Sequence, residues 1–123
     1  ILENQLEKKI LVTADQAPIV NFPTVIEMDM HGDFTNSNEL TAGFATFQVG
    51  KGHGHHYHPN AEEIIYVVEG ESQQALEDQE FDMLEGDSIH IPKGAVHWTK
   101  NIGQKELIIL VVFSFPIPET IDL

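Results

Sequence analysis

GKGHGHHYHPNAEEIIYVVEG, residues 50–70, places four of the chain's seven histidines within six positions and follows them with Glu62 and Glu63. Its second half, Glu63-Ile-Ile-Tyr-Val-Val-Glu69, is rich in β-branched and aromatic side chains, the composition of a strand. In a strand, residues i and i+2 point to one face. His56 and His58 therefore project together, and His53 and His55 do the same with the opposite parity. Either pair offers two imidazoles to a metal. Pro59 and Asn60 bend the chain, and a strand opening at Glu63 can return antiparallel with its carboxylate beside the rings. His97 follows the turn Ile91-Pro-Lys-Gly94 and can supply a third imidazole from far along the chain.

Outward from this stretch, glycine and proline punctuate short segments. Strands are expected at 9–13, 24–29, 41–49, 53–58, 63–69, 72–76, 80–84, 88–91, 96–101 and 106–114. Only residues 2–10 carry a weak helical pattern. Many short, evenly spaced strands in 123 residues predict one all-β domain, a sandwich or a barrel around a single core. There is no internal repeat, linker or low-complexity segment. The tail Phe113-Ser-Phe-Pro-Ile-Pro118 reads as an extended arm lying on another surface.

Composition excludes several functions. The formal charge is −14, carried by 20 acidic residues against six lysines and no arginine. Nucleic acid requires a basic footprint, so it is not an expected partner, and an anionic membrane surface is excluded on the same ground. The longest apolar run, Leu107–Phe113, is strand-length and far too short to span a bilayer as a helix. The segment ILENQLEKK does not resemble a signal peptide, and the expected location is cytoplasmic. The chain begins with Ile rather than Met, so a segment upstream can be missing. Zero cysteines remove disulfides and thiolate metal sites. Glu77, Asp78, Glu80, Asp82, Glu85 and Asp87 crowd one hairpin and read as solvated surface. Without arginine, an anionic ligand would need lysine, backbone N–H groups or a metal.

Three neutral imidazoles and a carboxylate suit a divalent first-row metal, and such a site would carry a net charge of about +1. No nucleophile arrangement accompanies them: there is no cysteine and no serine in a Gly-x-Ser-x-Gly turn.

The spacing extends further. Gly50, His56, His58, Glu63 and Gly70 fall in one ordered set, and Gly86, Pro92, Gly94, His97 and Asn101 in a second. These ten positions resemble the two motifs of the cupin superfamily, and the 15 residues between Gly70 and Gly86 resemble the short spacer of single-domain cupins. The resemblance spans 50–101, about two-fifths of the chain. It implies a six- to eight-stranded jelly-roll β-barrel with residues 41–115 as its core. Residues 1–40 would then be strands or an arm packing on the barrel or on a partner, and 116–123 a tail. It also implies metal ligation by His56, His58, Glu63 and His97, with the glycines, Pro92 and Asn101 structural. A rival register, Gly52-His53-Gly54-His55 with Glu62, resembles the metal motif of cupin-type phosphoglucose isomerases. Ile64 stands where that motif carries tyrosine, and the absence of arginine suits a phosphosugar poorly.

Parity suggests a pocket wall. With Glu63 inward, Ile65 and Val67 are inward too; with His97 inward, so is Thr99. Strand 41–49 contributes either Phe44, Thr46 and Gln48 or Ala45, Phe47 and Val49, and Gln48 or His55 is a conceivable acid–base helper. The wall is expected to be mainly apolar, with the metal as its dominant polar feature. Four protein ligands on octahedral Fe, Mn, Ni or Co leave two positions for substrate oxygens or dioxygen, whereas tetrahedral Zn would be saturated. The leading expectation is an enzyme acting on a small, metal-chelating oxygenated molecule by dioxygenase- or decarboxylase-like chemistry. A non-catalytic binding module, a cupin sugar isomerase and a barrel with an incidental metal are the alternatives. Exposed strand edges predict a homodimer, with strand exchange open.

Overall fold

The computed structural model describes residues 10–123. Two antiparallel sheets enclose one core. The larger is built from β1 (Ile19–Asn21), β2 (Ile26–His31), β3 (Thr41–Phe47), β5 (Glu63–Glu69), β8 (Ser88–Ile91) and β10 (Leu107–Phe113). The smaller uses β4 (Gly52–Tyr57), β6 (Ser72–Leu76), β7 (Gln79–Met83), β9 (His97–Asn101) and β11 (Ile121–Asp122). The strand orders are β1-β2-β3-β10-β5-β8 and β11-β4-β9-β6-β7. A single 3-10 turn, Asp33–Thr35, interrupts the strands among the described residues. The result is the all-β jelly-roll barrel expected from the sequence. No helix among the described residues is long and apolar enough to cross a membrane.

The alternation of β5 shows why these sequences become strands. Glu63, Ile65 and Val67 are buried while Ile64, Tyr66 and Val68 face out. Ile65 and Val67 meet Val111 and Ile109 of β10, which in turn meet Gly43 and Ala45 of β3. Phe47, Met83, Ile91 and Leu107 complete this core. Burying each large apolar side chain contributes about 1.5–3 kcal/mol. The β5–β6 turn needs glycine: Gly70 has φ +93°, and a Cβ there would lie 2.7 Å from the Glu106 carbonyl oxygen. Asn101, 1% exposed, is structural. Its amide donates to the Phe47 and Lys105 carbonyls and its Oδ1 accepts from the Gly103 N–H.

Two expectations differ from the structure. Residues 10–13 of the expected strand 9–13 join no strand among the described residues; the Thr13 carbonyl instead opens a turn that receives the N–H groups of Gln16 and Ala17. β1 and β11, too short to stand out in the sequence, take edge positions. Of the weak helical pattern at 2–10, residues 2–9 lie outside the described residues and Ile10 is in no regular element. The acidic hairpin is exposed as expected, with Glu77 and Glu85 also accepting backbone N–H bonds from Val96 and Gly70.

Candidate metal centre

His56 and His58 reach the site from β4 and the residue after it, Glu63 from the start of β5, and His97 from the start of β9. β4 and β9 pair with His56 opposite His97, which sets two rings side by side with centroids 4.1 Å apart. A register shift between His53 and His56 marks a bulge in β4. The His58 ring lies 5.1 Å from both His56 and His97. One nitrogen of each of these three rings falls within 4.8 Å of the others, a group that could hold a metal ion. Glu63 Oε1 lies 3.0 Å from His97 Nε2 and 3.3 Å from His58 Nε2.

All four side chains are buried, at 4%, 4%, 5% and 1% exposure for His56, His58, Glu63 and His97. Every Nδ1 is held by a backbone carbonyl: His56 by Gly54 at 2.6 Å, His58 by Glu119 at 2.8 Å and His97 by Ala95 at 2.9 Å. A carbonyl accepts only, so each Nδ1 carries the proton and each Nε2 presents a lone pair. Three of the convergent atoms, His58 Nε2, Glu63 Oε1 and His97 Nε2, are close together yet lack hydrogen-bond geometry to any partner among the described residues. Buried polar atoms are nearly always satisfied, so this cluster fits a cation coordinated at its centre. The all-nitrogen and oxygen donor set, free of sulfur, fits a divalent first-row ion.

The electrostatics of the metal-free cluster divide its members: His56 is held neutral, whereas His58 and Glu63 stabilise each other's charged forms. Burial, reinforced by the neighbouring rings, pushes His56 down to about 4, so it is a neutral donor near pH 7. Burial alone would push Glu63 up, but His58 and His97 outweigh it and hold the carboxyl below its usual range. Burial would lower His58, but Glu63 outweighs it and holds the ring above its usual value.

These groups sit in the wall of a cavity of about 510 Å³. Ile65 and Thr99 line it, as parity suggested. The other two expected wall residues do not. Val67 is fully buried in the core behind the cavity, and Gln48 lies past the end of β3, exposed, donating to Glu106 at 2.6 Å. On β3 Thr41, Gly43, Ala45 and Phe47 line the cavity together with Phe44, while Val49 is exposed. The Thr99 hydroxyl donates to the buried Gln74 Oε1 at 2.6 Å.

The wall is more polar than composition suggested. Glu27, Asp29 and His31 alternate along β2 and face the cavity, with Asp33 next to them. The alternation Ile26-Glu27-Met28-Asp29-Met30-His31 puts these polar side chains on one face of β2. The tail covers another side: Pro116, Ile117, Pro118 and Thr120 line the cavity, and Asn60 ties this segment down through Ile117 and Glu119. The rival metal register is not assembled. His55 is exposed, Glu62 pairs with His90 at 2.6 Å on the surface, and His53 is bound to Asp122 at 2.9 Å.

Comparison with known proteins agrees with this architecture. The cupin domain model matches residues 43–113. An uncharacterized protein of Methanocaldococcus jannaschii is 39% identical over 61 residues, covering 50% of this chain and 48% of that one, so the chain spans about half the length of this relative. The oxalate decarboxylase of Lactobacillus farciminis, solved as a formate complex, superposes with a TM-score of 0.81 at 27% identity, over 89% of this chain and 34% of its own. That of Bacillus subtilis, studied for its Mn(II) centres, gives a TM-score of 0.80 at 20% identity, over 89% and 31% respectively; this second likeness is one of fold.

Proposed function

The chain belongs to the cupin domain family, and on that premise we propose that it is a metal-dependent enzyme acting on a small, chelating oxygenated substrate. His56, His58 and His97 through Nε2, with Glu63 through Oε1, would hold Mn, Fe, Co or Ni. The observation that carries this reading is the set of buried, unpartnered donor atoms converging at the wall of a cavity large enough for a small molecule. When bound, such an ion supplies Lewis acidity and open positions for substrate oxygens.

The chain's own residues have definable tasks. The backbone carbonyls of Gly54, Ala95 and Glu119 fix the tautomer and orientation of the three rings. Ile65, Ile109, Val111 and Phe113 keep the inner wall apolar and restrict water around the reacting atoms. Phe113 also sets its edge against the His58 ring, with centroids 4.8 Å apart. Decarboxylation or dioxygenation of an acid or enol is the favoured chemistry. The likeness to oxalate decarboxylases supports it, and the absence of a nucleophile arrangement is consistent with it.

The test is a turnover screen of chelating acids and enols on Mn- or Fe-reconstituted protein, beside His97→Ala. We expect turnover of at least one substrate, lost by at least about 100-fold in the variant. Binding without turnover across the screen would support a non-catalytic ligand-binding module instead.

We also propose a homodimer. Ile64, Tyr66 and Val68 on the outer face of β5 are 48%, 40% and 42% exposed. Leu110 pairs with both Tyr66 and Phe44, so this apolar strip continues across β10 and β3. A second copy of the same face would cover it.

A further inference from the structure

The cavity wall has two chemically different sides, and in the six-stranded sheet β3 and β10 separate the strands that carry them. On one side sit the four candidate ligands, among them Glu63 of β5. On the other, β2 presents Glu27 and Asp29 on one face, and Asp33 follows them. Among the described residues no lysine lines the cavity, and the chain contains no arginine. Two further histidines line it: His31, beyond Asp29 on the same row, contacts the Thr35 hydroxyl at 3.2 Å, and His53 contacts Asp122 at 2.9 Å. Glu27 and Asp29 are partly withdrawn from water, and burial holds both carboxyls above their ordinary values. Such groups gain from a cation brought beside them. With a divalent ion and Glu63 alone, the cavity would carry about +1; three further carboxylates bring it to about −2 when ionised.

We infer that the substrate is a molecule with a chelating oxygen pair at one end, an apolar body and an ammonium or guanidinium group at the other, received by Glu27 and Asp29. The inference deepens the metal-site reading above, on which its inner anchor rests. An apolar middle, formed by Ile65, Ile109 and Val111, separates the two sides. A compact dianion such as oxalate would meet the acidic row without any compensating cation. The selectivity of this cavity therefore lies against small dicarboxylates and in favour of amines.

Three catechols share a chelating head and differ at the far end: dopamine is cationic, ethylcatechol neutral and dihydrocaffeate anionic. Anaerobic calorimetry on Mn-loaded protein is expected to rank them in that order, with dopamine at least about tenfold tighter than dihydrocaffeate. The double variant E27Q/D29N, checked for fold by circular dichroism, should bring the two within about threefold. Should that variant not fold, D29N alone must narrow the gap. Equal or reversed affinities in the wild type, or a gap that the substitutions leave intact, would overturn the inference. If the chain takes up no Mn, or if ethylcatechol binds His58→Ala as well as wild type, it is the metal reading that fails. The acidic row is then read separately with non-chelating probes on metal-free protein. Phenethylamine binding more tightly than phenylpropionate, with the gap closed by E27Q/D29N, would support it, and equal binding would overturn it.

Discussion

Each ring of the histidine group commits one nitrogen to a backbone carbonyl and leaves the other for the cavity. That division supports the proposal that the three rings ligate a shared cation, which would occupy the buried atoms that face one another. Replacing Glu63 with Gln removes the one anion of the set. It is expected to weaken Mn(II) binding by more than the 10–100-fold typical of losing an outer-shell partner, as read by competition with a chelating dye. Glu27 and Asp29 support a different prediction. Their folded values lie above the ordinary 4.5 and 3.8, chiefly through burial. A carboxyl raised on folding contributes stability below its unfolded value, and that contribution is lost as pH rises through the folded value. E27Q/D29N should therefore gain stability relative to wild type between about pH 4 and pH 7, by less than about 1 kcal/mol because solvent screens both groups. Urea denaturation at the two pH values checks this; a variant advantage that shrinks as pH rises would contradict it. Strand parity left two histidine pairs open, and it was the resemblance of the two motifs to those of cupins that singled out His56, His58, Glu63 and His97, which the fold brings together. Glu27 and Asp29 were not legible, since an alternating strand shows which residues share a face but not whether that face meets water or a cavity.

At the scale of elements, the pairing of β4 with β9 places His56 opposite His97, and it depends on a glycine. A Cβ on Gly52 would lie 2.1 Å from the Thr99 carbonyl oxygen and 2.9 Å from the Lys100 Cα, both backbone atoms that cannot swing away. Gly54, two residues on, has open space around it. Gly52→Ala should cost about 2–3 kcal/mol and Gly54→Ala less than about 0.5 kcal/mol, as measured by chemical denaturation. The tail is the other element with leverage on the site. Glu119 O accepts from His58 Nδ1, and Leu123 N donates to His55 O. Deleting residues 119–123 should weaken metal binding about 10–100-fold while the barrel still folds. An extended arm was foreseeable from its two prolines. Its role was not, because the contact with His58 is made by a backbone carbonyl that any residue carries.

For the whole molecule, the polar side of β2 faces the cavity and the apolar side faces outward. Ile26 is 39% exposed, and Met28 pairs with Phe44 in the same outer surface. The six-stranded sheet thus has an apolar outside, which the proposed homodimer would bury. Tyr66→Lys combined with Val68→Asp should convert a dimer to a monomer in light scattering, and a wild-type monomer at micromolar concentration would contradict the assembly. The barrel was legible from strand spacing and turn residues. A single sequence shows which residues are apolar but not which surface covers them, so the dimer remains a proposal for light scattering to test. The central claim is that four buried donors form a metal centre. Its most direct test is metal content by mass spectrometry on untagged protein never exposed to chelator, measured beside His58→Ala. The account predicts near-stoichiometric Mn, Fe, Co or Ni in the wild type and about a tenth of that or less in the variant. No metal in the wild type, or equal metal in both, would contradict it.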